Sequence, residues 1–175
     1  MESIKILALS GSLRKASYNT AALEALTELA PDYVEIIIGN IGDLPLFNPD
    51  REDELIPALA ALKSTLTEAS GIIIASPEYA HGISGPMKNA LDWLVSGMEF
   101  PYKPIMLINT SPRASHALEA LTEVLTTMSG NIIREALVSI PLLSSGLDKE
   151  GILASAEISQ ALQTGLKEFC RQIEE

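Results

Sequence analysis

Short apolar runs alternate with amphipathic helical segments along the whole of this 175-residue chain. The first run, residues 4–9, is almost continuously apolar, which is typical of a strand buried on both faces of a parallel sheet. The segments between the runs carry apolar residues at intervals of three and four, as one face of a helix requires. The pattern predicts strands at 4–9, 33–38, 71–75, 105–108 and 136–140, and helices at 22–30, 56–66, 87–94, 118–128 and 158–173.

Five strand–helix units in succession favour one fold class. Parallel neighbours in a sheet need long, right-handed crossovers, and a helix between each pair of strands supplies them. We therefore predict an α/β domain with three layers, in which helices cover both faces of a doubly wound, five-stranded parallel sheet. The length suits a single domain over residues 1–175. Periodicity alone leaves open which of the two common strand orders the sheet adopts.

The charge and the cysteine content argue against several kinds of partner and location. The chain holds 12 Lys and Arg against 23 Asp and Glu, a formal net charge of −11. Such a surface repels nucleic acid and anionic membrane, because binding to phosphate backbones depends on clustered positive charge. With Cys170 alone, no intrachain disulfide can form. The start Met1-Glu2-Ser3 lacks the basic region of a signal peptide, and no apolar run approaches the ~18 residues of a membrane span, so we expect a cytoplasmic protein.

A basic segment rich in hydroxyl groups follows the first predicted strand. Residues 10–19 contain two cations and no acidic residue, and they lead into a helix whose free N–H groups and dipole favour an anion. Gly11 lets the backbone approach a ligand, and Arg14 offers a planar fork of donors to phosphate oxygens. Ligands of such sheets bind at the carboxyl ends of the strands. The segment therefore predicts a phosphate site; the alternative is an ordinary helix start with Ser17 or Asn19 as N-cap.

Several familiar site motifs are excluded by their spacing. The chain contains no G-x-x-x-x-G-K-[ST], the phosphate loop of P-loop NTPases. No G-x-G-x-x-G follows the first strand, so the dinucleotide-binding fingerprint is missing as well. G-x-S-x-G, the nucleophile elbow of serine hydrolases, is also absent. A phosphate site here must therefore be built differently from these three.

Two further loops lie at the predicted carboxyl ends of strands. Residues 76–86 carry two prolines and two glycines, which predict a tightly folded backbone, and Tyr79 offers apolar surface to an aromatic ligand. We interpret His81 as a polar loop residue rather than a general base, since no nucleophile accompanies it. In residues 109–116, an N-cap role for Ser115 is as good an interpretation as a contact with a ligand.

Two motifs carry a resemblance to a known family. I-L-A-L-S-G-S-L-R-K-A-S-Y-N at residues 6–19 and S-P-E-Y…G-P-M-K-N-A-L-D-W-L at residues 76–94 resemble the NADPH-dependent FMN reductases, which include quinone, chromate and azo-dye reductases. The motifs occur in the order and spacing of that family, and the likeness extends over nearly the whole chain. The resemblance implies a flavodoxin-like fold with strand order 2-1-3-4-5 and non-covalently bound FMN.

The resemblance also implies which residues contact the cofactor. The implied contacts with the FMN phosphate are Ser10, Ser12, Arg14, Ser17 and Asn19. The implied contacts with the isoalloxazine ring, largely through backbone groups, are Pro77, Glu78, Tyr79 and Ala80. Ser111 is implied to approach the ribityl chain or the ring. The family frequently has Asn where Ala80 stands; the backbone N–H of Ala80 can still serve the ring.

The resemblance implies a flavoprotein oxidoreductase in which FMN carries the chemistry. NADPH or NADH would give a hydride to FMN, and a quinone-like or other small electrophilic acceptor would then take it. Such a reaction needs no side-chain nucleophile and no metal, so we expect neither a catalytic residue of that kind nor a metal site. The family is usually dimeric or tetrameric, which implies a homodimer or homotetramer. We interpret Trp93, Met98, Phe100 and Tyr102 as a mixture of core and subunit interface.

Two alternatives to the enzyme remain open from the sequence. A flavodoxin-type electron carrier shares the fold and the acidic surface, although the phosphate loop of that family is Thr-rich and lacks an Arg at the position of Arg14. A flavodoxin-like scaffold that has lost its cofactor would act through protein contacts. Reduction of bound flavin by NADPH without an added reductase favours the enzyme, and a colourless protein that takes up no FMN favours the scaffold.

Overall fold

Eight strands and six helices make up the fold in a computed structural model that describes residues 3–113 and 115–175. The strands are β1 (Ile4–Ser10), β2 (Val34–Gly39), β3 (Gly71–Ala75), β4 (Glu78–Tyr79), β5 (Gly82–Ile83), β6 (Pro104–Asn109), β7 (Asn131–Ile132) and β8 (Val138–Ser139). The helices are α1 (Tyr18–Leu29), α2 (Pro57–Glu68), α3 (Gly85–Leu94), α4 (His116–Thr127), α5 (Lys149–Ala154) and α6 (Ala156–Glu174).

The central sheet is parallel and has the order β2–β1–β3–β6, with β7 and β8 sharing the fifth position beside β6. This is the predicted order 2-1-3-4-5, so the doubly wound α/β architecture is confirmed. The fifth strand, predicted at 136–140, is shorter than expected. A turn of 3₁₀ helix at Arg134–Ala136 interrupts this position, and each of the two flanking strands is only two residues long.

Helices cover both faces of the sheet, and this explains why the sequence of β1 is almost continuously apolar. Ile6 and Ala8 pack in the layer formed by α1, α5 and α6, whereas Leu7 and Leu9 pack in the layer formed by α2, α3 and α4. All four side chains are fully buried. A strand that is covered on both sides needs apolar residues at every position, which is the reason for the nearly unbroken run.

The last helix contributes the lone thiol of the chain to this core. Cys170 is buried in the layer formed by α1, α5 and α6, and burial raises the pKa of its thiol to about 11. A thiol with so high a pKa stays protonated near neutral pH and is a poor nucleophile. Cys170 therefore acts in packing, as the sequence indicates. In the part of the chain that the structure describes, no helix combines the length and the apolar character needed to cross a membrane.

Candidate functional site

The segment between β1 and α1 is folded around the first turn of that helix. Ser17 is the N-cap of α1, because its hydroxyl accepts a hydrogen bond from the backbone N–H of Thr20 at 3.2 Å. The hydroxyl of Ser10 lies 2.8 Å from the hydroxyl of Thr20, and the hydroxyl of Ser12 accepts a bond from the N–H of Arg14. All three serines are buried. The hydroxyls predicted from the sequence therefore do converge on the N-terminus of α1.

Positive charge at this helix N-terminus is open to solvent. Arg14 and Lys15 are exposed, and the ion pairs found within residues 3–113 and 115–175 include neither of them. The first turn of α1 carries no acidic residue that would neutralise the helix dipole. The segment therefore combines cations, hydroxyls and unneutralised N–H groups, which together attract an anion.

Asn19 has a different place from the one expected of an N-cap. It is buried within the first turn of α1, and its Oδ1 accepts a hydrogen bond from the hydroxyl of Thr110 at 3.0 Å. Thr110 directly follows β6, so this bond ties the start of α1 to the neighbouring carboxyl end of the sheet. The N-cap alternative for Asn19 is wrong, since Ser17 takes that role.

Gly11 allows the first segment to approach the segment that follows β3. Its N–H donates to the carbonyl of Ala75 at 2.8 Å, and its carbonyl accepts from the hydroxyl of Ser84 at 2.6 Å. A Cβ at Gly11 would lie 2.2 Å from Oγ and 2.8 Å from Cβ of Ser76. The close approach of the two segments therefore requires glycine at this position.

The segment after β3 forms a hairpin of β4 and β5. Tyr79 pairs with Gly82, which leaves Ala80 and His81 as the two turn residues. Their φ angles are 50° and 58°. Positive φ at both central residues is the requirement of a type I′ turn, which Asn and Gly adopt far more readily than Ala. The predicted tight backbone is confirmed, and it contains two strained residues.

Glu78 joins this hairpin to the start of α4. Its Oε2 accepts a hydrogen bond from the N–H of Ala117 at 2.9 Å, where a carboxylate is also favoured by the helix dipole. Ser115 occupies the N-cap position of α4, but its hydroxyl makes no capping bond. The side chain of Glu78 is thus engaged with α4, so a contact of Glu78 with a ligand would have to come from its backbone groups.

The third segment lies next to the second. Ser111, the predicted contact after β6, is half-buried, and its N–H donates to Oδ1 of Asn109 at 2.9 Å. A cavity of about 20 Å³ has Ser76, Glu78, Asn109 and Ser111 among its lining residues. A cavity of that size has room for one water molecule. The oxygen Oγ of Ser76 is buried and has no hydrogen-bond partner among the residues that the structure describes.

The structure therefore gathers the ten predicted residues on three segments that leave the adjacent strands β1, β3 and β6. Sequence reasoning missed Thr20, Ser84 and Thr110, whose hydroxyls hold these segments together. The signal for Ser84 is its place immediately before Gly-Pro at a helix start. For Thr110 the signal is its position at the end of a buried strand.

Comparison with known proteins identifies the family of this chain. A profile of the NADPH-dependent FMN reductase family matches residues 4–142, a range that includes all three segments. The chain belongs to the NADPH-dependent FMN reductase family. It is accordingly an oxidoreductase that uses FMN and NAD(P)H, as the sequence motifs indicate. Family membership favours the enzyme over the electron carrier and the cofactor-free scaffold.

Individual relatives agree with this assignment. The chain is 29% identical over 172 residues to an NAD(P)H-dependent FMN reductase of Pseudomonas aeruginosa. The alignment covers 95% of this chain and 93% of that protein. The chain is 30% identical over 172 residues to a 2-hydroxy-1,4-benzoquinone reductase of a Burkholderia species, covering 95% and 94%. Among solved structures, the flavoenzyme NAD(P)H:(acceptor) oxidoreductase FerB of Paracoccus denitrificans superposes with a TM-score of 0.79 at 25% identity, covering 98% and 97%.

Proposed function

We propose that this reductase binds the phosphate of FMN at the start of α1 and passes a hydride from NAD(P)H through FMN to a quinone-like or other small electrophilic acceptor. The observation that carries the proposal is the donor set of residues 10–19. It combines buried hydroxyls with exposed cations at a helix N-terminus that lacks an acidic residue in its first turn. A phosphate dianion matches these donors in charge and in hydrogen-bonding capacity.

The residues present fit FMN at the other two segments as well. The segment at residues 77–80 is assigned to the isoalloxazine ring, largely through its backbone groups, and the side chain of Glu78 is turned toward α4. Ser111 is assigned to the ribityl chain or the ring from the neighbouring segment. Bound FMN supplies the capacity to accept a hydride and to give it up again. The chain binds and orients the cofactor, and none of its side chains needs to act as a nucleophile.

A quinone-like acceptor is supported by the kinship with the 2-hydroxy-1,4-benzoquinone reductase of Burkholderia. The test is the visible absorption spectrum of the purified, FMN-loaded protein under anaerobic conditions. We expect NADPH or NADH alone to bleach the flavin band, and a benzoquinone to restore it. Bleaching that requires an added reductase would point instead to an electron carrier, and failure to take up FMN would point to a scaffold. Parallel titrations with NADH and NADPH reveal the preferred reductant.

An exposed apolar surface supports a homo-oligomer. Leu46, Leu55 and Met98 are 84%, 88% and 87% exposed, and Val95, three positions before Met98, is 55% exposed. A hydrogen bond between Ser96 and Glu52 holds their two segments together. By contrast, Trp93 and Phe100 are fully buried in the core. We assign this surface, defined by Leu46, Leu55, Val95 and Met98, to contact with a second copy of the chain, since exposed apolar patches mark interfaces.

Charge placed on this surface is expected to separate the subunits. We expect the double variant Leu55→Asp, Met98→Asp to sediment as a monomer at concentrations at which the unmodified protein sediments as a dimer or tetramer. Leu143→Asp, at a leucine on another segment that is 63% exposed, is the control and should leave the oligomer intact. Identical sedimentation of the double variant and the unmodified protein would rule out this surface as the interface.

We also propose that residues 1–175 act as one FMN-binding domain in the cytoplasm. The two apolar layers pack on the two faces of a single sheet, which supports one domain. The cytoplasmic location remains a prediction from the cysteine content.

A further inference from the structure

The β4–β5 hairpin touches α4 at two places. The first is the hydrogen bond from Ala117 N–H to Glu78, at 2.9 Å. The second is a stack of two imidazole rings, in which the centroids of His81 and His116 are 4.4 Å apart and the ring planes are inclined by 24°. His81 is a turn residue of the hairpin, and His116 is the first residue of α4.

The turn that carries His81 needs support from outside the hairpin. Ala80 and His81 both have positive φ, a conformation that non-glycine residues adopt only when surrounding contacts hold them there. The hairpin itself has two residues in each strand, and so short a ladder is not stable by itself. The two contacts with α4 supply that support.

We propose that Glu78 and the stacked pair His81–His116 are positioning residues, which hold the hairpin against α4 and thereby fix the backbone that contacts the FMN ring. The inference rests on the proposed function for the location of the ring. Neither histidine is required to touch the substrate or the cofactor. Their effect is exerted through the geometry of residues 77–80.

The test compares FMN affinity, measured by quenching of FMN fluorescence, in variants of His116. Alanine removes the stack, whereas phenylalanine keeps a flat ring that cannot be protonated. We expect His116→Ala to raise the Kd for FMN about three- to tenfold at about pH 7.5, and His116→Phe to stay within about twofold of the unmodified protein.

The decisive readout is the rescue of FMN affinity by the flat ring in His116→Phe. A Kd for FMN that rises as much in His116→Phe as in His116→Ala would overturn the positioning role of the stack, and so would an unchanged Kd in His116→Ala. Failure of the proposed function looks different. FMN would then bind to none of these proteins, or its Kd would stay the same when Arg14 is replaced.

Discussion

Replacing Arg14 by alanine is expected to weaken FMN binding about tenfold to somewhat over a hundredfold, which corresponds to the loss of about 1.5–3 kcal/mol from a charge-assisted hydrogen bond. Arg14 is exposed beside the N-terminus of α1, where no acidic residue of the first turn competes for its guanidinium. Fluorescence titration of the apoprotein with FMN measures the effect. Because Arg14 pairs with no carboxylate in the described ion pairs, the stability of the apoprotein should barely change.

Two controls separate a phosphate contact from a general disturbance at Arg14. Arg14→Lys keeps the charge but loses the planar fork of donors. Its affinity for FMN should therefore lie between those of the unmodified protein and of Arg14→Ala. Riboflavin, which lacks the phosphate, should bind the Arg14→Ala variant as well as it binds the unmodified protein. Equal losses for FMN and riboflavin would place Arg14 elsewhere than at the phosphate.

Gly11→Ala is expected to damage both the fold and the site. The added Cβ would lie 2.2 Å from Oγ and 2.8 Å from Cβ of Ser76, and 3.0 Å from Oγ of Ser84. Overpacking of this kind costs about 1–3 kcal/mol, which should appear as a lower midpoint for urea unfolding of the apoprotein. The two segments that would hold the FMN phosphate and ring must move apart, so we also expect FMN affinity to fall at least about tenfold.

A second substitution tests whether the collision with Ser76 is the cause. Ser76→Gly removes both atoms that the new Cβ approaches most closely, so the double variant Gly11→Ala, Ser76→Gly should recover most of the stability and affinity. Normal unfolding and normal FMN binding in Gly11→Ala alone would contradict the close approach of the two segments.

Local patterns were sufficient for most of the fold. The unbroken apolar run of β1 predicts a strand covered on both faces, and the structure buries Ile6 and Leu7 in opposite layers. The pattern was less informative for the fifth position of the sheet, because strands of two residues leave no periodicity to detect. The six-residue helix α5 was not predicted either, because so short a helix shows no clear periodicity.

The site was predictable where its residues are neighbours in sequence. Residues 10–19 show their hydroxyls and cations in one segment, so the phosphate site follows from composition and position. The contact of Glu78 with Ala117 joins residues 39 positions apart, and the bond of Asn19 with Thr110 joins residues 91 apart. No local sequence pattern predicts a contact between residues so far apart in the chain. The stack of His81 on His116 is of the same kind, since each histidine taken alone is an ordinary polar loop residue.

The most direct measurement of the central claim is the affinity of the apoprotein for FMN relative to riboflavin. The two ligands share the isoalloxazine ring and the ribityl chain and differ only in the phosphate. If the segment between β1 and α1 holds that phosphate through at least two charge-assisted bonds, FMN should bind at least about a hundredfold more tightly. Equal affinity for the two ligands would contradict the account.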